Sequence, residues 1–75
     1  MKVQIKLMGM LKDKSPPNGQ LELADGSTIA DALATLDIAP EKVQVITVNG
    51  SVERDRSRDL SEGDELSMLP PVGGG

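Results

Sequence analysis

Apolar and polar residues alternate from the first residues onward. Val3, Ile5 and Leu7 fall on one face of Lys2 to Met8, and Lys2, Gln4, Lys6 and Met8 on the other. Period two with β-branched residues predicts a half-buried strand. The pattern breaks from Gly9 to Gly19, where Lys12, Asp13, Lys14, Ser15, Pro16, Pro17 and Asn18 make a polar stretch dense in turn formers, read as a loop. Leu21 and Leu23 then alternate with Gln20 and Glu22, giving a short second strand antiparallel to the first. Asp25-Gly26-Ser27 supplies a turn, and Ile29, Leu33 and Leu36 follow at i, i+4, i+7, which predicts a helix over Thr28 to Asp37. Thr28 and Asp31 have the capping-box spacing. Pro40 prevents continuation and leaves Ile38 as an apolar plug beyond the helix end.

Val43-Gln44-Val45-Ile46-Thr47-Val48 is the most β-prone run, and its apolar residues cannot all face one way. That suits an inner strand with one face on the helix. Asn49-Gly50 predicts a type I′ hairpin, because both positions need φ > 0. A fourth strand over Ser51 to Arg54 would return from it. Asp55 to Asp59 is charged and unpatterned, a solvated connector with Leu60 as its lone anchor. Ser61-Glu62-Gly63-Asp64 makes a turn, and Glu65 to Leu69 a final strand with Leu66 and Met68 inward, Ser67 and Leu69 outward. The order β-β-α-β-β-β implies an α+β fold with one helix packed across one face of a mixed sheet of four to five strands. If the first and last strands lie side by side in the centre they are parallel, with the helix in the crossover, which is the ubiquitin-like β-grasp. Residues 1–69 form the domain, and 70–75 a flexible tail.

Composition removes most catalytic chemistry. The chain has 75 residues with no His, no Cys and no aromatic residue. Imidazole general-base catalysis, thiol chemistry and thiolate or imidazole metal sites are excluded with those side chains. A net charge of −4 argues against nucleic acid or anionic lipid as partner. No apolar run has the length of a membrane-spanning helix, and no signal-peptide pattern opens the chain, so a cytoplasmic protein is expected. The acidic groups Asp55/Asp59 and Glu62/Asp64/Glu65 are the candidates for paired carboxylates, and charge runs of this kind read as solvated faces. Neither a catalytic site nor a metal site is expected.

The sequence closes on Pro70-Pro71-Val72-Gly73-Gly74-Gly75. Prolines end the preceding strand and stiffen the exit. Glycines lack the Cβ that restricts the backbone, so this tail is thin enough for a narrow slot. At an upper limit of about 3.5 Å per residue, six residues carry a terminal carboxylate roughly 20 Å from the body. A frayed end is the default for any terminus. A domain without an active site, bearing such an end, reads instead as a carrier that another protein handles. Met8 and Leu69 are expected to form an apolar spot on the sheet face away from the helix, near that tail.

These residues resemble the ThiS/MoaD family of ubiquitin-like sulfur carriers over nearly the whole chain. The likeness lies in Lys2 to Met8, Asp25-Gly26-Ser27-Thr28-Ile29, Val48-Asn49-Gly50, Leu60-Ser61-Glu62-Gly63-Asp64-Glu65-Leu66, and Pro70-Pro71-Val72 before the glycines. The resemblance implies a carrier rather than an enzyme. A partner enzyme using ATP and Mg²⁺ would adenylate the Gly75 carboxylate, and a sulfur donor would convert it to a thiocarboxylate for a sulfur-accepting synthase subunit. Gly74 and Gly75 are then the reactive end. Leu69, Pro70, Pro71, Val72 and Gly73 line the approach to the partner, with Met8 beside them. The chain itself binds no cofactor and is expected to be a monomer when free. Pro70-Pro71-Val72 is similar to molybdopterin-type carriers, whereas the short link from helix to third strand is similar to thiamin-type ones. Met68-Leu69 replaces aromatics common in the former, and Gly73 is an additional glycine. Molybdopterin synthesis is favoured, with thiamin thiazole next. The alternatives are a ubiquitin-like modifier joined to lysines through the same terminus, and a β-grasp interaction module with no use for its tail.

Overall fold

A computed structural model describes residues 1–71. β1 (Lys2–Leu7) is followed by 3-10 helices over Gly9–Lys14 and Pro17–Gly19. Next come β2 (Gln20–Glu22), α1 (Ile29–Thr35) and a 3-10 turn over Pro40–Lys42. β3 (Val45–Val48), β4 (Ser51–Val52) and β5 (Glu65–Leu69) complete the order. The strands form one mixed sheet in the order β2-β1-β5-β3-β4. β1 and β5 are parallel central neighbours, with Gln4 opposite Glu65 and Leu7 opposite Met68. β2 runs antiparallel to β1, and β3 antiparallel to both β4 and β5. This is the β-grasp expected from the strand pattern.

The core is aliphatic throughout. Val3, Ile29, Ala32, Leu66 and Met68 are wholly buried, and Leu33 and Ile46 nearly so. Leu66 and Met68 point inward from β5 while Leu69 points out, as the alternation requires.

Both ends of α1 are chemically defined. Thr28 accepts from the Asp31 N–H at 3.2 Å, and the Asp31 carboxylate accepts from the Thr28 N–H at 2.8 Å, a complete capping box. The next free amides, on Ile29 and Ala30, donate to the carbonyls of Arg58 and Arg56. At the other end the Asp37 N–H donates to Ala34 and the Ile38 N–H to Leu33, a Schellman arrangement, with Asp37 at φ 59°. Ile38 is buried at that corner, as its plug position implies. A left-handed Asp is strained, and its exposed contact with Lys14 at 3.4 Å contributes little. Asp37→Gly is therefore expected to raise stability by about 0.5 kcal/mol, read as a higher urea midpoint at unchanged slope.

Three expectations need correction. Gly9 to Gly19 is not an irregular loop: it folds into the two 3-10 helices, because Leu11 is driven into the core and pulls a turn around itself. The helix and the third and fourth strands are each shorter than expected. Thr28 is the cap of α1 and Leu36 its C-cap. The 3-10 turn at Pro40 delays β3 to Val45 although Val43 is buried, and β4 ends at Val52. The connector 55–59 is also more than a solvated link. Besides its carbonyls on α1, the Arg56 guanidinium donates to the carbonyls of Pro40 at 3.0 Å and Val43 at 2.7 Å, clamping the entry to β3.

Candidate functional site: the end of the central strand

The tail leaves the sheet at its middle, because β5 is flanked on both sides. The Met8 N–H donates to the Met68 carbonyl at 3.1 Å, and the Gln44 N–H to the Leu69 carbonyl at 2.9 Å. The chain is thus held from the β1 side up to Met68 and from the β3 side up to Leu69. Pro70 then lies half-buried near Gly9, and Pro71 is exposed. Val72, Gly73, Gly74 and Gly75, including both residues assigned the reactive end, lie outside the described residues.

The register shows which side chains flank this exit. On the face away from α1, Lys6, Ser67, Thr47 and Val52 form one row across four strands. Two residues further along, Leu69 pairs with Val45, and the same parallel register sets Met8 beside Leu69. Leu69 is 38% exposed and Val52 61%, while Met8 and Val45 are half-buried. Continued by one residue, the register places Met8 next to Leu69 on this face. It adds Val45 and Val52, which the sequence pattern did not single out for this face. The β4 pairing decides their position: a half-wet valine on a two-residue strand carries no signal in a linear reading. Beside Val52 opens a groove of about 300 Å³ lined by Gln44, Val45, Ile46, Val52, Glu53, Arg54 and Arg56. It combines aliphatic walls with guanidinium groups.

The acidic groups have structural work. Asp64 is buried; its carboxylate accepts from the Ser61 N–H at 2.8 Å and from the Asn49 amide at 3.0 Å. Asn49 in turn accepts from the Glu65 N–H at 3.0 Å. The Asn-Gly turn, with φ of 53° and 89°, is thereby fastened to the turn that starts β5. This link was invisible in the sequence, where Asn49 read only as a turn former. The Asp55 carboxylate accepts from the Ser57 hydroxyl at 2.6 Å and the Ser57 N–H at 2.9 Å. Those two bonds, the hydroxyl first, hold its pKa below the ordinary value of 3.8. Among the described residues no group of three or more acidic side chains could hold a metal ion, and none of the helices is long and apolar enough to cross a membrane.

A parallel β1–β5 pair, one helix in the crossover and a chain end released from the central strand define a small ubiquitin-like β-grasp protein. Residues 5–75 match the ThiS family, and the chain belongs to it. By class it is a small ubiquitin-like β-grasp protein of that family. Solved structures show the same fold. SAMP1 from Haloferax volcanii superposes with a TM-score of 0.75 at 21% identity, covering 100% of both chains. A Pyrococcus furiosus protein described as molybdopterin converting factor, subunit 1, gives 0.74 at 22% identity, over 96% of this chain and 99% of that one. Subunits 1 and 2 of the molybdopterin-converting factor from Helicobacter pylori form a complex in which a chain matches at 0.64 and 24% identity, with 100% of both covered. No curated protein matches at the level of sequence.

Proposed function

We propose that the chain is a sulfur carrier whose Gly75 carboxylate is activated by a partner enzyme and converted to a thiocarboxylate. A carboxylate oxygen attacks the α-phosphorus of ATP and displaces pyrophosphate. A sulfide-equivalent donor then adds its sulfur to the acyl carbon, AMP leaves with the bonding pair, and the thiocarboxylate remains. A resting carboxylate is a poor acyl donor; adenylation supplies the leaving group, and Mg²⁺ and cationic groups of the partner offset the phosphate charge. This chain contributes a slim end and a surface to hold.

The observation that carries the reading is the exit itself. The chain leaves from the central strand, pinned at Met68 from one neighbour and at Leu69 from the other, with Met8, Leu69, Val45 and Val52 on the face beside it. A partner gripping that face has the tail at its rim. Pro70-Pro71-Val72 and the name of the Pyrococcus furiosus relative favour molybdopterin synthesis over thiamin thiazole. The Helicobacter pylori complex suggests a second synthase subunit as sulfur acceptor. Intact mass spectrometry after incubation with the adenylating enzyme of the same organism, ATP, Mg²⁺ and a sulfur source tests it. The expected product is the whole chain with one oxygen replaced by sulfur.

The second reading, a modifier, draws on the likeness to SAMP1, described for Haloferax volcanii as a small archaeal modifier protein. It requires the same activation but ends in an isopeptide bond. Lysine-linked adducts of higher mass would select it over the carrier.

A further inference from the structure

The tail crosses a glycine on its way out. Gly9 sits at φ +56°, and a Cβ there would stand 3.2 Å from Pro70 Cγ and 3.8 Å from its Cδ. The first distance is shorter than the optimum for carbon–carbon contact, roughly 3.5–4.0 Å. Gly26, Gly50 and Gly63 also have positive φ, yet a Cβ on any of them would meet nothing within 4 Å. Those three answer a backbone need alone. Gly9 answers two: the conformation, and the room taken by the Pro70 ring.

That ring is the first part of the chain beyond the carbonyl that Gln44 holds, at Leu69. Its φ is fixed by the pyrrolidine, and Pro71 keeps Pro70 extended, so the contact with Gly9 sets a heading rather than a loose average. We propose that Gly9 is a positioning residue for the tail. Its bare Cα lets Pro70 lie down, and this fixes the heading at which Pro70 and Pro71 leave the sheet toward the activating enzyme. The proposal rests on the carrier reading. A change of heading at the base of the tail shifts the point from which it enters the partner's slot, and adenylation demands alignment of one oxygen with one phosphorus.

The two needs of Gly9 can be separated. Asn tolerates positive φ but has a Cβ, so Gly9→Asn tests the steric contact with little backbone strain, and Gly9→Ala adds the strain. Pro70→Ala removes the ring. Pyrophosphate release from full-length chains is measured with the activating enzyme, ATP and Mg²⁺. Gly9→Asn is expected to lower kcat about three- to tenfold with KM unchanged, because the docking face is intact. Pro70→Ala also lowers kcat, and Gly9→Asn with Pro70→Ala matches Pro70→Ala alone, since the added Cβ no longer meets a ring. Urea unfolding orders the variants differently, with Gly9→Ala the least stable. Wild-type kcat for Gly9→Asn, or a double variant showing the product of both single losses, overturns the positioning role while the carrier reading stands. A wild-type chain that releases no pyrophosphate overturns the carrier reading, and this proposal with it.

Discussion

A chain with Gly75 converted to a primary amide is expected to fall to background in both pyrophosphate release and sulfur incorporation. The adenylation step begins with an anionic oxygen attacking phosphorus. A neutral amide has no such anion, so docking on the sheet face cannot compensate for its loss. Stability is expected to stay at the wild-type value, because among the described residues every member of the buried cluster lies between Val3 and Met68. Deleting Gly74 and Gly75 gives the same loss by shortening the reach. The pair of experiments removes the third reading, a plain interaction module, which requires both variants to behave as wild type. Sulfur bound by the amidated chain at the wild-type rate would defeat the carrier proposal.

Leu33→Ala is expected to destabilise the fold by about 2–5 kcal/mol, measured by urea unfolding. Leu33 is 1% exposed and sits on the inner stripe of α1 with Ile29 and Leu36. The sheet beneath it is lined by Val3, Ile46, Leu66 and Met68, and the core has no aromatic ring to slide into the vacated space. A domain of 75 residues has about 4–11 kcal/mol in all. The substitution thus removes a large share, and partial unfolding near body temperature is expected. A loss under about half a kcal/mol would mean the helix packs on the sheet through another stripe. Activation by the partner, corrected for the folded fraction, should be unaffected, which separates body from tail.

The elements legible in the sequence were those whose cause is local. Thr28 and Asp31 cap their own helix, Asn49-Gly50 needs only its own dihedral angles, and the alternation in Lys2–Leu7 and Glu65–Leu69 states which side is wet. The central parallel pair followed from placing one helix between such strands. What escaped has causes distant in sequence. Leu11 is a single apolar residue among charges, and its burial depends on the end of β1 and on β5. Arg56 looked like one more solvated cation until the carbonyls of Pro40 and Val43 arrived beneath it. Asp64 looked like part of an acidic run, yet its partner lies 15 residues earlier. Near the tail, period two put Met8 and Leu69 on one face, but Val52 came onto that face only through its pairing with Thr47, in the next row. The role of Gly9 lies in the ring across from it, 61 positions later by number, which no linear pattern encodes.

The place of β5 in the sheet has a consequence for how the molecule is made. Glu65–Leu69 bonds to β1 on one side and β3 on the other, so until that segment emerges from the ribosome the two flanking hairpins have no common neighbour. Neither hairpin alone is expected to persist in water, and closing Gln4 onto Glu65 encloses almost the entire polypeptide, which makes the final zipping slow. A truncated nascent product would therefore have neither a finished body nor the outgoing end that grows from it. Quality control is thus written into the topology: on the carrier reading, only a chain that includes β5 has the sheet from which an end can be offered to a partner.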